Sequence, residues 1–311
     1  LSVLCWAFMI VMFCLPRRDS SESTSVVMWM CYSYLSVYVP KLVYVVCSLF
    51  GRLFGALFKQ SRLLARVTMR WIGIPLALLV FVAMWWGVVG GRRQMQTQYV
   101  DISSRRLPEA FNGYKIAQLS DFHVGTWGND TTFVSELVDS VNALKPDLIV
   151  FTGDLVNCSS KELLPFVSVL SRLSAPDGVY SILGNHDYGD YLDWPSPKAK
   201  ADNLQLLKDL QAKMGWKMLN NEHDFIVANG DSLTIIGVEN WGDPPFQQYG
   251  DEAVAYGNNP DSAYNINDQH FKVLLTHNPE HWNQKISRNS NIDISMAGHT
   301  HAMQMMLTLG N

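Results

Sequence analysis

The N-terminal part of the chain carries three long apolar stretches with few charges. The clearest covers residues 71–90, which are uncharged over the length that a bilayer core requires and have tryptophans near both ends, where indole rings prefer the interface. Residues 1–15 are equally apolar, and residues 25–51 are apolar and aromatic but contain Pro40, which can kink a helix. A signal peptide would be one segment rather than three. The pattern therefore predicts a membrane region over residues 1–94 with about three transmembrane helices.

From residue 95 onward, short apolar runs alternate with stretches of helical spacing. The apolar runs cover residues 115–120, 147–152, 179–183, 224–228, 233–238, 272–276 and 292–296. The helical spacing covers residues 131–144, 161–173 and 201–214. Continuous apolar strands separated by helices are typical of parallel pairing in a sheet that is buried on both faces. The sequence predicts an α/β domain over residues 95–311, with functional loops at the C-terminal ends of the strands. Residues 241–268, rich in Gly, Pro and Asn, predict an irregular loop, either near the mouth of the site or on the plain surface.

The charge is divided unevenly along the chain. Residues 1–91 have a balance of +6 and residues 92–311 a balance of −10, which together give the net charge of −4. An acidic domain repels phosphate backbones, so nucleic acid is excluded as a main partner. The same domain gains nothing electrostatically from an anionic lipid surface, so attachment to a lipid bilayer has to come from the apolar region.

Basic residues between the second and third apolar stretches predict the orientation in the membrane. Five cations and no acid stand there, at Arg52, Lys59, Arg62, Arg66 and Arg70. Short loops with an excess of Lys and Arg stay in the cytoplasm. One further crossing places the residues from 92 onward outside, although Arg92 and Arg93 favour the opposite orientation.

Five short motifs of potential metal ligands follow one another along the second part of the chain. They are Asp121-Phe122-His123, Gly153-Asp154-Leu155-Val156-Asn157, Gly184-Asn185-His186-Asp187, the single His277, and Gly298-His299-Thr300-His301. Five of the eight histidines fall inside them. Mixed carboxylate and imidazole ligands suit Mn, Fe or Zn better than Ca, which prefers oxygen alone. The predicted ligands of two adjacent divalent cations are Asp121, His123, Asp154, Asn185, His277, His299 and His301, with Asp154 as a possible bridge.

Each motif taken alone has a simpler explanation. An Asp at a strand end is commonly a turn or cap residue, and a lone histidine such as His277 is more often a surface group than a ligand. An Asn that follows Gly usually belongs to a turn. All of these explanations would have to hold at once, and the ordered set therefore favours a metal site.

The motif set closely resembles that of the calcineurin-like metallophosphoesterase superfamily, over roughly residues 95–311. The apolar spans ahead of the domain resemble its membrane-anchored bacterial branch. The resemblance implies a β-sandwich flanked by helices (α-β-β-α), with further strands of the domain expected beyond residue 311. It also implies a dinuclear site in which one metal binds Asp121, His123, Asp154 and His301, and the other binds Asp154, Asn185, His277 and His299.

The resemblance further implies that a metal-activated hydroxide attacks phosphorus while His186 donates to the leaving group. The chain departs from the family pattern at two places. Many members have Asp where Asn157 stands, so Asn157 can hydrogen-bond to the histidine but brings no charge, and Asp187 is an alternative acid–base group. Many relatives have Gly-Gly after the last histidine, whereas this chain has Ala302-Met303.

These features together predict a membrane-anchored, dinuclear metal-dependent phosphoesterase that hydrolyses a phosphodiester or a pyrophosphate. A broad phosphomonoesterase is the alternative among enzymes. A non-catalytic membrane scaffold with a structural metal site is the alternative from another class. The membrane anchor favours a lipid-linked substrate, and we expect an integral protein of a bacterial cytoplasmic membrane with its catalytic domain outside the cytoplasm.

Overall fold

The computed structural model describes residues 2–15, 18–244, 247–256 and 269–301. It contains two compact units, of which the first comprises Leu1–Arg17 and Glu22–Tyr99, and the second comprises Arg18–Ser21 and Val100–Asn311. Much of the predicted loop 241–268, together with Ala302-Met303, lies outside the described residues.

The first unit consists of helices with exposed apolar surfaces. They are α1 (Ser2–Cys14), α2 (Ser21–Leu57) and α3 (Arg62–Val89), and only the first residue of α2, Ser21, belongs to the second unit. Within the described residues, two helical segments are long and apolar enough to cross a membrane by length and composition, Ser21–Leu57 and Arg62–Arg93. Helix α1 has 13 residues, and at 1.5 Å per residue it reaches about 20 Å, less than the roughly 30 Å of a hydrocarbon core. The number of spans therefore stays a prediction.

The second unit begins with a sheet of four parallel strands in sequential order. They are β1 (Ile116–Leu119), β2 (Leu148–Phe151), β3 (Val179–Ser181) and β4 (Lys217–Met218). The main helices between them are α4 (Thr132–Ala143), α5 (Val167–Leu170) and α6 (Pro197–Lys213). The helix predicted over 161–173 begins instead as 3-10 turns at Ser160–Phe166, because Pro165 has no N–H to donate within an α-helix.

The second sheet contains β5 (Glu222–Ala228), β6 (Asp231–Gly237), β7 (Phe271–Leu275) and β8 (Ile294–Met296). Strands β6, β7 and β8 pair in parallel, whereas β5 and β6 pair in antiparallel fashion. This pair departs from the parallel pattern because Asn229 and Gly230 both have positive φ, at 51° and 89°. Two such residues form the tight turn that closes a hairpin. The second unit also contains α7 (Glu252–Ala255), a π-helical turn at Trp282–Ile286 and α8 (Ser287–Asn289).

The two sheets pack face to face, with helices on their outer faces. One core cluster joins side chains of both sheets, among them Val150, Ile182, Ile235, Val273 and Leu275. A second cluster lies between the first sheet and its helices, among them Val138, Ile149, Phe151 and Leu207. A third covers the outer face of the second sheet, with Ile236, Leu274 and Ile286. This layering confirms the expected helix–sheet–sheet–helix sandwich.

Candidate metal centre

The predicted ligands lie at the C-terminal ends of parallel strands. Asp121 follows β1, Asp154 follows β2 and Asn185 follows β3, while His277 follows β7. His299 and His301 follow β8. Because the C-terminal ends of parallel strands meet at one edge of a sheet, five loops from two sheets converge at one place.

Strained turns orient these ligands. Positive φ angles occur at Asp121 (55°), His123 (42°), Asp154 (59°), His299 (72°) and His301 (49°). Left-handed backbone costs about 1 kcal/mol or more for residues with a Cβ and is concentrated at functional sites. Backbone hydrogen bonds stabilise the turns: the Asp121 N–H donates to the Gly153 carbonyl, and the His123 N–H donates to the Asp154 carbonyl. Asp121 and His123 therefore reach the same site through a turn and not through the two-residue period of a strand.

The first group of ligand atoms comes from Asp121, His123, Asp154 and His301. The Nε2 atoms of His123 and His301 are 3.2 Å apart. Asp121 Oδ1 lies 3.2 Å from His301 Nε2, and Asp154 Oδ2 lies 3.6 Å from His123 Nε2. These four side chains present one nitrogen or oxygen each to a common point.

The second group comes from Asp154, His277 and His299, with Asn185 beside them. Asp154 Oδ2 lies 3.2 Å from His277 Nε2, which is itself 3.2 Å from His299 Nδ1. Asn185 Oδ1 is 3.1 Å from His277 Nε2 and 3.0 Å from His299 Nδ1. The same Asp154 oxygen thus lies against both groups.

The spacing of these atoms fits small divalent cations. Ligands bound at about 2.0–2.2 Å in a tetrahedral arrangement stand roughly 3.3–3.6 Å from one another. The observed separations of 3.0–3.6 Å agree with that value. Two carboxylates, one amide oxygen and four imidazoles provide the mixed oxygen and nitrogen donors that suit Mn, Fe or Zn. The structure brings all seven predicted ligands together, and their binding of metal stays a prediction.

The electrostatic environment favours neutral imidazoles at two of these positions. Burial lowers the pKa of His123 to about 4, and burial together with His277 lowers the pKa of His299. For His277, burial opposes the charged form, but the hydrogen bond to Asp154 dominates together with its charge and raises the pKa to about 9. A cation competes with protons for the same imidazole nitrogens, so neutral imidazoles are ready to bind metal.

His186 lies beside the ligands without belonging to either group. Its Nδ1 is 2.6 Å from the backbone carbonyl oxygen of Asn157. This hydrogen bond fixes the ring so that Nε2 points away from the Asn157 carbonyl. The ring stands edge-on to His123 at 4.7 Å and stacks on Tyr191 at 4.1 Å. The side-chain amide of Asn157 donates instead to Thr126 Oγ1 at 3.0 Å. The main chain of Asn157, and not its side chain, contacts the histidine.

Asp187 is a fully buried carboxylate beneath the site. It accepts hydrogen bonds from the backbone N–H groups of Gly184, Asp154, Leu155 and Val156 at 2.9–3.3 Å. Burial, followed by the charge of Asp154, raises the pKa of Asp187. The role of Asp187 as an alternative acid–base group stays a prediction. Its position suits support of the two loops that carry Asp154 and Asn185.

Replacing Asp187 by Asn should therefore destabilise the fold more than it changes the chemistry. An amide NH₂ cannot accept the backbone donors that the carboxylate now satisfies, and each unsatisfied buried group costs about 1–3 kcal/mol. We expect the free energy of unfolding to fall by roughly that amount. Chemical denaturation of the variant and the wild type measures it, and equal stability of the two would contradict this supporting role.

Three residues near the site were not singled out from the sequence. Glu162 binds backbone amides of the Asn157 loop, and the Ser159-x-x-Glu162 spacing of a capping box was a signal for it. Tyr191 accepts a hydrogen bond from Asn185 at 2.8 Å. Asp243 accepts one from Asn278 at 3.0 Å. Tyr191 and Asp243 lie in irregular segments that carry no sequence motif. Their position near the site is therefore visible only in the folded structure.

Known proteins with similar sequences are metallophosphoesterases. The chain is 27% identical over 280 residues to "Transmembrane protein with metallophosphoesterase domain" of Danio rerio, an alignment covering 85% of this chain and 59% of that protein. It is 27% identical over 218 residues to the uncharacterized metallophosphoesterase YkuE of Bacillus subtilis, covering 68% and 67%. It is 40% identical over 95 residues to the UDP-2,3-diacylglucosamine pyrophosphatase LpxG of Chlamydia muridarum, covering 28% and 27%. The chain thus spans only part of each relative.

Two family profiles match consecutive parts of the chain. Residues 1–92 match the profile described as "Probable Calcineurin-like phosphoesterase, transmembrane domain". Residues 114–303 match the profile described as "Calcineurin-like phosphoesterase". Because relatives occur in a vertebrate as well as in bacteria, the predicted bacterial origin does not follow from the family. The chain belongs to the calcineurin-like phosphoesterases, hydrolases of phosphoric esters, and it is a membrane-associated member.

Proposed function

We propose that this enzyme cleaves a phosphodiester or pyrophosphate bond at a centre of two divalent cations. The observation that carries the proposal is the position of Asp154 Oδ2, which lies 3.2 Å from His277 Nε2 and 3.6 Å from His123 Nε2. One carboxylate oxygen between two ligand groups is the arrangement expected for a bridging ligand. Asp121, His123, Asp154 and His301 would hold one cation, and Asp154, Asn185, His277 and His299 the other.

The cations would be Mn, Fe or Zn, since imidazole nitrogens supply at least two donors in each group. When bound, two such ions supply Lewis-acid polarisation of phosphoryl oxygens and activation of water. The residues of the chain supply the rest. Asp154 and the histidines fix the positions of charge, and His186 lies next to His123 with its Nδ1 bound to a backbone carbonyl. We propose that the other ring nitrogen, Nε2, donates a proton to the leaving oxygen.

A lipid-linked phosphoester is the proposed substrate class. The transmembrane family match places apolar helices in the same chain as the catalytic domain. The partial similarity to LpxG, which is named as a pyrophosphatase of UDP-2,3-diacylglucosamine, a diacylated sugar nucleotide, supports this choice. The negative balance of the catalytic part argues against a nucleic acid substrate.

One assay separates this proposal from its alternatives. The purified full chain in detergent is given a phosphodiester, a pyrophosphate and a phosphomonoester, with and without Mn²⁺. Manganese-dependent hydrolysis of the diester or the pyrophosphate in preference to the monoester supports the proposal. Preference for monoesters would favour a broad phosphomonoesterase. Bound metal without turnover on any of the three would favour the scaffold.

The proposed topology has the catalytic domain on the side of the membrane away from the cytoplasm. The five cations and no acids between Arg52 and Arg70 support it. In a bacterial expression host, a reporter enzyme that is active only in the periplasm should be active when fused after residue 100. The same reporter fused near residue 60 should be inactive. The reverse pattern would place the site in the cytoplasm and remove the reason to favour extracytoplasmic substrates.

A further inference from the structure

The loop that follows Asp154 rests on a partly buried carboxylate, Glu162. Glu162 accepts hydrogen bonds from the backbone N–H groups of Asn157 at 2.6 Å, Cys158 at 3.2 Å and Ser159 at 3.2 Å. It also contacts the hydroxyl of Ser21, which belongs to the same compact unit. A carboxylate surrounded by donors is the arrangement expected of the ionised form.

One peptide group joins this carboxylate to the candidate proton donor. The peptide between Asn157 and Cys158 has its N–H on Glu162 and its carbonyl oxygen 2.6 Å from His186 Nδ1. A charge on the N–H side of a peptide polarises the group and makes its carbonyl a stronger acceptor. Hydrogen bonds to ionised groups are also the stronger ones. The charge of Glu162 therefore acts on His186 although no direct bond joins them.

We propose that Glu162 is a positioning residue that fixes and polarises His186 through the Asn157–Cys158 peptide. The proposal rests on the role of His186 in the proposed function. The proposal explains how His186 can be held although the Asn157 side chain is neutral and donates its amide to Thr126. In this chain the negative charge behind the histidine comes from Glu162, one peptide group away.

The packing at Gly125 brings the side chains of Glu162 and Asn157 close to each other. A Cβ at Gly125 would stand 2.3 Å from Glu162 Oε2 and 3.0 Å from Asn157 Oδ1. The Glu162 carboxylate and the Asn157 side chain therefore flank the same backbone atom. An Asp at position 157 would place a second negative charge in this space, and like charges so close disfavour their joint ionisation. A neutral Asn157 is compatible with a charged Glu162.

Helix capping alone does not account for these contacts. Ser159 and Glu162 form a capping box, in which Glu162 needs to bind only the N–H of Ser159. Asn157 and Cys158 precede the cap, yet both donate to the same carboxylate. The capping role and the positioning role therefore predict different effects for different substitutions.

The test uses the full chain in detergent with Mn²⁺ and two substrates, methyl 4-nitrophenyl phosphate and methyl phenyl phosphate. Nitrophenolate leaves without a proton, whereas phenolate needs more assistance. Glu162→Gln keeps the size of the side chain, removes the charge and leaves one oxygen to accept the backbone donors. We expect its kcat to fall about tenfold more with the phenyl ester than with the nitrophenyl ester, a part of the 10²–10⁴ that a general acid contributes. Metal content should not change.

Two variants are matched controls for structural effects. Ser159→Ala removes the serine half of the capping box, and Ser21→Ala removes the hydroxyl that donates to Glu162. Both should lower the temperature of unfolding without changing the ratio of the two kcat values. If Glu162→Gln fails to fold, Glu162→Asp is used instead. It keeps the charge but places the carboxylate further from the peptide N–H, so the ratio of the two kcat values should shift less, in the same direction.

An unchanged ratio in a folded Glu162 variant, or an equal change in Ser159→Ala, would overturn the proposal. A second readout does not depend on activity. In chain labelled with ¹⁵N-histidine, the His186 Nδ1 proton resonance should move upfield in Glu162→Gln, because the hydrogen bond to the Asn157 carbonyl weakens. It should stay in place in Ser159→Ala. A wild type that hydrolyses neither a diester nor a pyrophosphate contradicts the proposed function, and the His186 resonance then tests the positioning role of Glu162 separately.

Discussion

Replacing Asp154 by Asn should remove turnover and most of the bound metal together. Its Oδ2 lies against His123 in one ligand group and against His277 in the other. No other described residue belongs to both groups. The amide keeps the size of the side chain but loses the negative charge that would offset two cations. We expect hydrolysis to fall to background, a loss of several orders of magnitude, as for removal of metal-dependent catalysis.

Metal analysis of the purified Asp154→Asn protein tests this assignment. The matched control is Asp139→Asn, which makes the same chemical change at an exposed salt bridge with Arg172. The control should keep its metal and its activity, because an exposed ion pair contributes little to stability. Two tightly held metals in Asp154→Asn would show that the bridging assignment is wrong.

Replacing His186 by Ala should have a different effect, because metal remains while turnover falls. His186 belongs to neither ligand group, and its Nδ1 is bound to the backbone carbonyl of Asn157. If the ring donates a proton to the leaving oxygen, its loss costs roughly 10²–10⁴-fold in kcat. The loss should shrink for nitrophenyl esters, whose leaving group needs no proton.

Kinetics with esters of good and poor leaving groups, together with metal content, check the role of His186. His223→Ala is the matched control, since His223 lies on β5 of the second sheet and its Nδ1 contacts the backbone carbonyl of Ala255 in α7. It should leave both the metal content and the leaving-group dependence unchanged. An equal loss for good and poor leaving groups in His186→Ala would argue against proton donation and favour an electrostatic or structural role.

The fold could be predicted from the sequence because its signals are local. Apolar runs of five or six residues predicted seven of the eight strands in the described residues, and β2 is indeed buried along its whole length. Strand β4 was missed because it has only two residues, Lys217 and Met218. The motifs could be placed at strand ends for the same reason. The antiparallel hairpin of β5 and β6 was missed because its signal is a two-residue turn, at Asn229 and Gly230.

The site could be predicted only as a set of residue types. The sequence showed Asp121 and His123 only as two residues of one motif, whereas in the structure positive φ angles in a turn bring them together. It assigned a role to the side chain of Asn157, whereas the backbone carbonyl of that residue meets His186. Backbone strain and main-chain acceptors leave no mark in residue types, so neither could be seen.

The sequence by itself determined the α/β character of the domain, the apolar helices ahead of it and the grouping of the seven side chains at strand ends. Each of these follows from periodicity or from residue chemistry at strand ends. Only the tertiary structure decided which oxygen of Asp154 lies against both groups, how Asp187 holds two loops, and that Glu162 reaches His186 through a peptide. These relations join residues of separate loops, and their distances exist only after the sheets have packed.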